Sequence, residues 1–212
     1  APPLPRYQLE TQLDPAARTL DARAVVKLPP AMAGQAVEFL LAAPLAMVES
    51  EPRAERLPAD AAAGFSGING SSQAMTRSGR AARYRVQLAP GSSQFTLHYK
   101  GRVDFGFETP GQEYARGFNE TAGVIKEDGV YLAGSTLWYP QLAGDQAGQL
   151  VTYSFTVNTP EGWHIIAPGN GVSTGPDGMA RWETPSAVDE ISVAGGPLTP
   201  YAASAGLAEA QV

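Results

Sequence analysis

Residues 83–100 read RYRVQLAPGSSQFTLHYK, and the period of this stretch decides the class of fold. Tyr84, Val86 and Leu88 alternate with Arg83, Arg85 and Gln87; beyond Ala89, Phe95, Leu97 and Tyr99 alternate with Gln94, Thr96, His98 and Lys100. In an extended chain successive side chains point to opposite faces, so a period of two makes one face apolar and the other wet. Between the two runs stands Pro90-Gly91-Ser92-Ser93. Proline presets φ, glycine admits left-handed backbone and serine bonds nearby main chain, which together make a turn. The stretch therefore predicts two half-buried strands of the kind found in antiparallel sheets.

The same period extends outward in both directions. Tyr7, Leu9, Thr11 and Leu13 interleave with Gln8, Glu10 and Gln12, and Leu20, Ala22, Ala24, Val26 and Leu28 follow after Asp14-Pro15-Ala16-Ala17. The spacing predicts an antiparallel hairpin. Lys100-Gly101 leads into Val103, Phe105 and Phe107, and Val151, Tyr153, Phe155 and Val157 face Thr152, Ser154 and Thr156. Pro168-Gly169-Asn170-Gly171 and Gly175-Pro176-Asp177-Gly178 read as turns between short strands. Helix is scarce: Glu51–Ala63 is the best candidate, kept short by Pro52, Pro58 and Gly64, and Gln112–Thr121 reads as an irregular connection. With no repeat at a fixed period, a propeller or solenoid is disfavoured. The expectation is an all-β fold, a large, mostly antiparallel, twisted β-sandwich or saddle of about ten strands with little helix.

Composition narrows the function classes. A chain of 212 residues buries roughly 70% of its unfolded surface and can build a core without staples. It contains no cysteine, which excludes disulfides, thiolate zinc sites and a cysteine nucleophile. The formal net charge of −6 opposes a nucleic-acid partner, which requires a basic footprint. No apolar run reaches the roughly 20 residues that span a bilayer. The 23 glycines and 18 prolines punctuate periodic segments and so indicate turns, not disorder. The start, Ala1-Pro2-Pro3-Leu4-Pro5, reads as that of a mature exported protein, periplasmic or extracellular.

Reactive constellations are absent from the motifs. His98 and His164 are the two imidazoles, with no His-x-His or His-Glu-x-x-His spacing, whereas zinc takes three or four ligands. Gly64-Phe65-Ser66-Gly67 lacks the Gly-x-Ser-x-Gly spacing of a nucleophile elbow, and Ser135 has no partner in sequence. Carboxylates pair at Glu49/Glu51, Glu127-Asp128 and Asp189-Glu190, but glycoside chemistry needs a fold that sets their separation across a cleft. Gly169-Asn170-Gly171 and the glycines at 64, 67 and 70 match no phosphate loop. Asn69-Gly70-Ser71 and Asn119-Glu120-Thr121 are glycosylation-type tripeptides, a pattern common by chance. The expectation is no catalytic, cofactor-binding or metal residue in this chain. Among the aromatics, Trp138 and Tyr139 in Gly129–Pro140, GVYLAGSTLWYP, are the interface candidates. If that piece is extended, one of two adjacent side chains faces outward, and large aromatics anchor interfaces.

In order and spacing these segments resemble the N-terminal domain of the aminopeptidase N-like zinc metallopeptidases. Tyr7-Gln8-Leu9 with Leu13-Asp14-Pro15 resembles the family's first hairpin, and Gln94–Gly101 its strand ending in Tyr-x-Gly. Gly129–Pro140 resembles the segment where an aromatic and a proline precede a new strand. Leu150–Pro160 with Gly162-Trp163 resembles the strand ending in Thr-x-Pro, and Ile191-Ser192-Val193-Ala194-Gly195 the closing apolar-Val-Ala-Gly strand. Ser135–Pro140 lacks the acidic pattern that follows in many relatives, which points to a divergent bacterial branch. The resemblance implies a saddle of mostly antiparallel strands packed on a thermolysin-like zinc domain. The family's Gly-x-Met-Glu-Asn and His-Glu-x-x-His motifs belong to that following domain and do not occur in this sequence. It further implies one β-domain over residues 1–202, with 203–212 beginning the connection to a C-terminal peptidase domain of the same polypeptide. Zinc is expected only in that domain, and peptide substrate at a shared cleft. The alternative is a stand-alone secreted module that binds peptide or carbohydrate through loop aromatics on a rigid sandwich.

Overall fold

The computed structural model describes residues 3–58, 81–106, 121–143, 149–175, 177–184 and 186–199, together with the backbone of strands at 202–205 and 208–211. In the first half the strands are β1 (Arg6–Asp14), β2 (Thr19–Lys27), β3 (Ala36–Ala42), β4 (Leu45–Glu51), β5 (Glu55–Arg56), β6 (Ala81–Gln87) and β7 (Gln94–Arg102). The second half adds β8 (Gly123–Lys126), β9 (Gly129–Leu132), β10 (Gln141–Leu142), β11 (Thr152–Asn158), β12 (His164–Ile166), β13 (Asn170–Val172), β14 (Met179–Glu183) and β15 (Val193–Gly196), then β16 (Ala202–Ala205) and β17 (Ala208–Gln211). Among the described residues the only helical pieces are 3-10 turns, at Pro30–Met32 and Gly134–Thr136. The all-β expectation holds.

A seven-stranded sheet in the order β13-β14-β11-β1-β2-β7-β4 forms one layer. Its pairs are antiparallel except β1 with β11. Two four-stranded sheets, β10-β3-β6-β5 and β12-β15-β9-β8, form the other layer. Both lie on the same face of the large sheet. Phe39 of β3 stacks on Phe95 of β7 with ring centroids 5.5 Å apart, and the indole N–H of Trp182 on β14 donates to the Ile165 carbonyl of β12 at 3.1 Å. The inward residues of all three sheets join one core, including Tyr7, Leu9, Leu20, Val26, Phe39, Tyr99, Phe155, Ile125, Leu132 and Val193. Strands β16 and β17 pair in a small sheet of their own.

Alternation places these residues as the sequence requires. β1 and β2 pair from Arg6 opposite Lys27 to Asp14 opposite Thr19, and β1 buries every second residue. Their turn closes where the Ala17 N–H donates to the Asp14 carboxylate at 2.9 Å. The strands either side of Pro90–Ser93 do not pair with each other. β6 joins β3 in a small sheet while β7 enters the large one between β2 and β4, so the turn carries the chain across the core. Main-chain bonds from Leu28 to Ser93 (2.8 Å) and from Gly34 to Ser92 (3.1 Å) hold this corner. At Gly101 a Cβ would overlap the Pro44 carbonyl, so only glycine lets the β4 end approach β7.

Three expectations are corrected. Glu51–Ala63 is not a helix over its described part, because Glu55–Arg56 pairs as a strand with β6; residues 59–63 lie outside the described residues. Asn170-Gly171 is not a turn tip but part of β13, the turn falling before it at Gly169, where φ is +109°. The strands outnumber the expected ten because pieces of two to four residues are too short to show a period. The connection at 112–120, Phe107, Ser66 with its glycines, and the tripeptide at 69–71 lie outside the described residues.

Candidate functional site

The candidates for acid, base or metal chemistry are dispersed. His98 stands on the outward face of β7, its Nε2 2.8 Å from Asp21 Oδ1, across from Arg23 on one side and Glu49 on the other. This imidazole belongs to a row crossing all seven strands: Val172, Arg181, Thr156, Glu10, Arg23, His98, Glu49. A shallow groove of about 250 Å³ lies over part of that row, lined by Glu10, Arg23, Glu49, Glu51 and His98 among others. Opposite charges face each other along it, the arrangement of a solvated sheet face. His164 lies on β12, its Nδ1 3.4 Å from the Thr174 hydroxyl. Among the described residues no three histidine, aspartate or glutamate side chains gather as metal ligands, and the donor set does not fit zinc. Among them, too, no helix is long and apolar enough to cross a membrane.

Ala133–Ala143 is held by several side-chain and main-chain hydrogen bonds. After β9 the chain makes the 3-10 turn Gly134–Thr136, in which the Thr136 hydroxyl accepts from the Ala133 N–H at 2.9 Å and donates to the Ala122 carbonyl. The Gly134 N–H donates to Glu190 Oε2 at 3.1 Å, and a side chain at 134 would overlap that carboxylate. Leu137 then adopts left-handed backbone, φ +54°. Its carbonyl accepts from the Ala42 N–H of β3 at 2.9 Å, and β10 pairs with β3. The segment thus ties the sheet of β9 to the sheet of β3 over the inner face of the large one.

Trp138 and Tyr139 are the rivets of this joint. The Trp138 indole N–H donates to the Ile191 carbonyl at 3.0 Å, and the Ile191 N–H donates to the Tyr139 hydroxyl at 3.2 Å. Trp138 meets Tyr139 and Phe155 edge to face at 5.3 and 5.5 Å, and Tyr139 meets Tyr7 at 5.5 Å. Burial, helped by the nearby Glu190 and Asp189 charges, pushes the Tyr139 hydroxyl well up, so it stays protonated. Both rings are buried, Trp138 completely. The expectation that one faces outward is therefore corrected: the left-handed Leu137 breaks the extended geometry that would have alternated them. Trp163 is buried as well, so the three aromatics do not form the open groove that a sugar- or peptide-binding module would present. Ser135 is half-buried in the 3-10 turn, and the Asp189-Glu190 pair serves the joint.

The all-β fold is shared with solved proteins. Over 98% of its length it is similar to an M1 zinc metallopeptidase from Deinococcus radiodurans solved with a Tyr-Ser-Ala substrate, at TM-score 0.56 and 13% identity, covering 46% of that chain. A two-domain M1 zinc metallopeptidase bound to L-tryptophan matches over 98% of this chain and 46% of its own, at TM-score 0.54 and 14% identity. An aminopeptidase N family protein from Idiomarina loihiensis matches over 97% and 32%, at TM-score 0.51 and 12% identity. This chain therefore has the fold of a part of M1 aminopeptidase N family proteins, spanning less than half of each. No protein-family model and no curated protein sequence matches it.

Proposed function

We propose that this chain serves as the non-catalytic N-terminal β-domain of a zinc aminopeptidase-like metallopeptidase. It docks on the peptidase domain of the same polypeptide and caps the cleft where peptide substrate binds, while zinc is held in that following domain. The observation that carries the reading is the fold match over 98% of this chain to 46% of an M1 peptidase. The order of segments noted in the sequence supports it, as does the dispersal of His98 and His164 onto different sheets. The three-sheet joint at Ala133–Ala143 gives the domain the rigidity a cap needs. The test is the reading frame beyond Val212. A His-Glu-x-x-His helix with a downstream glutamate is expected there; a frame that stops shortly after Val212 overturns the proposal.

A further inference from the structure

The sheet β12-β15-β9-β8 differs from the rest of the protein in its outward face. Register sets Ile166 of β12 beside Ala194 of β15, Ala194 beside Tyr131 of β9, and Tyr131 beside Val124 of β8. This apolar row crosses the whole sheet on the side away from the core, which takes Ile165, Val193, Leu132 and Ile125 instead. Ile166 is 48% and Tyr131 44% exposed, and Ala194 is exposed between them, while Val124 at the β8 end is already buried within this chain. Beside that row Gly196 pairs with His164 and Gly129 with Lys126, so the neighbouring strip carries no side chain on its two central strands. Gly196 is itself buried, so the accessible apolar surface is the row Ile166–Ala194–Tyr131.

The sequence of these strands carries the same message. Val130-Tyr131-Leu132, Ile165-Ile166, Val193-Ala194 and Val124-Ile125 are continuous apolar runs, where β1, β2, β7 and β11 alternate. An antiparallel strand with one wet face alternates apolar and polar residues, and these strands do not alternate at Tyr131, Ile166 and Ala194. The core covers one face. We infer that the outward row Ile166–Ala194–Tyr131 is the seat for an apolar face of the domain that follows in the same polypeptide. This rests on the function proposed above. Two further observations select that occupant. β15, which carries Ala194, runs directly into exposed Pro197 and Leu198, so the downstream chain begins beside this face. In the two-domain M1 neighbour, the part matching this chain is 46% of the whole, which leaves over half of that protein to lie beside this fold. The other exposed valines do not compete: Val172 sits opposite Arg181, and Val48 occupies the irregularity in the edge strand β4. Apolar side chains scattered singly need no partner.

Residues 1–212 contain no cysteine, so a thiol placed among them is read without a native thiol in the same domain once the labelled peptides are mapped. Tyr131→Cys, Ile166→Cys and, as the solvated reference, Val172→Cys are introduced into the complete polypeptide, and maleimide labelling is followed at each position by peptide mapping. Native labelling at 131 and 166 is expected to be at least about tenfold slower than at 172, the rates becoming equal in urea. Hydroxyl-radical footprinting of the unsubstituted protein reads Tyr131 directly if a variant folds poorly, and protection is again expected. Equal native rates, with Tyr131 freely oxidised, overturn this assignment of the seat while leaving the proposed function standing if the His-Glu-x-x-His frame is present. A polypeptide without a following domain overturns both.

Discussion

The outward face of the seven-stranded sheet and that of the β12-β15-β9-β8 sheet are built by the same rule and end differently. Each sheet gives its inner face to one core. On the large sheet the outward row carries Arg181, Thr156, Glu10, Arg23, His98 and Glu49, mostly polar and charged, with Glu10 directly opposite Arg23. On the small sheet the outward row carries Ile166, Ala194 and Tyr131. The difference teaches that a sheet's second face records what covers it: charge for water, apolar side chains for another protein surface.

The comparison is tested first where both sheets meet. Trp138 bridges the large sheet, through Phe155, and the segment that leads to β15, through Ile191. Trp138→Ala is expected to cost about 3–5 kcal/mol in urea unfolding; a loss near that of a surface change would mean the joint is not shared. Tyr139→Phe removes the acceptor of the buried Ile191 N–H and is expected to cost about 1–3 kcal/mol. Tyr99→Phe supplies the contrast. Its fully buried hydroxyl has no hydrogen-bond partner among the described residues, so its removal should cost nothing, or stabilise by up to about 1 kcal/mol.

Charge effects are smaller and belong to the polar faces. Partial burial alone would raise the Glu38 carboxyl, but hydrogen bonds from Arg85 and Arg83 hold it below its ordinary value. A depressed folded-state pKa gives stability that is present above the unfolded value and is lost as pH falls through the folded one. Glu38→Gln should therefore flatten the acid limb of the stability profile and leave its shape above pH 7 unchanged, checked by urea midpoints across pH. The smallest effect is expected at Arg23→Glu, which sets like charges opposite Glu10. A loss under about 1 kcal/mol that shrinks in salt would confirm that this face is solvated; a large, salt-insensitive loss would put it in an interface.

Much of the fold was legible because most of it is alternation. The β1–β2 hairpin, β7, β11 and the turn at Gly178 stand where the period and turn residues put them. The sequence did not show that β6 and β7 belong to different sheets, since a turn closing a hairpin and a turn crossing a core use the same residues. The orientation of Trp138 and Tyr139 depended on one left-handed leucine, a conformation that no local pattern announces. The candidate seat did leave a signal, the unbroken runs at 130–132 and 165–166, but a short apolar run alone does not say which face is free. Register supplied that, by aligning Ile166, Ala194 and Tyr131 into one row.

The account turns on where the metal and the chemistry reside in the complete polypeptide. The direct measurement is zinc stoichiometry of that protein, followed through limited proteolysis into fragments assayed for hydrolysis of an aminoacyl substrate. One zinc per polypeptide is predicted, retained by the fragment beyond residue 212 and absent from residues 1–212. Zinc and activity that stay with residues 1–212 would contradict the account.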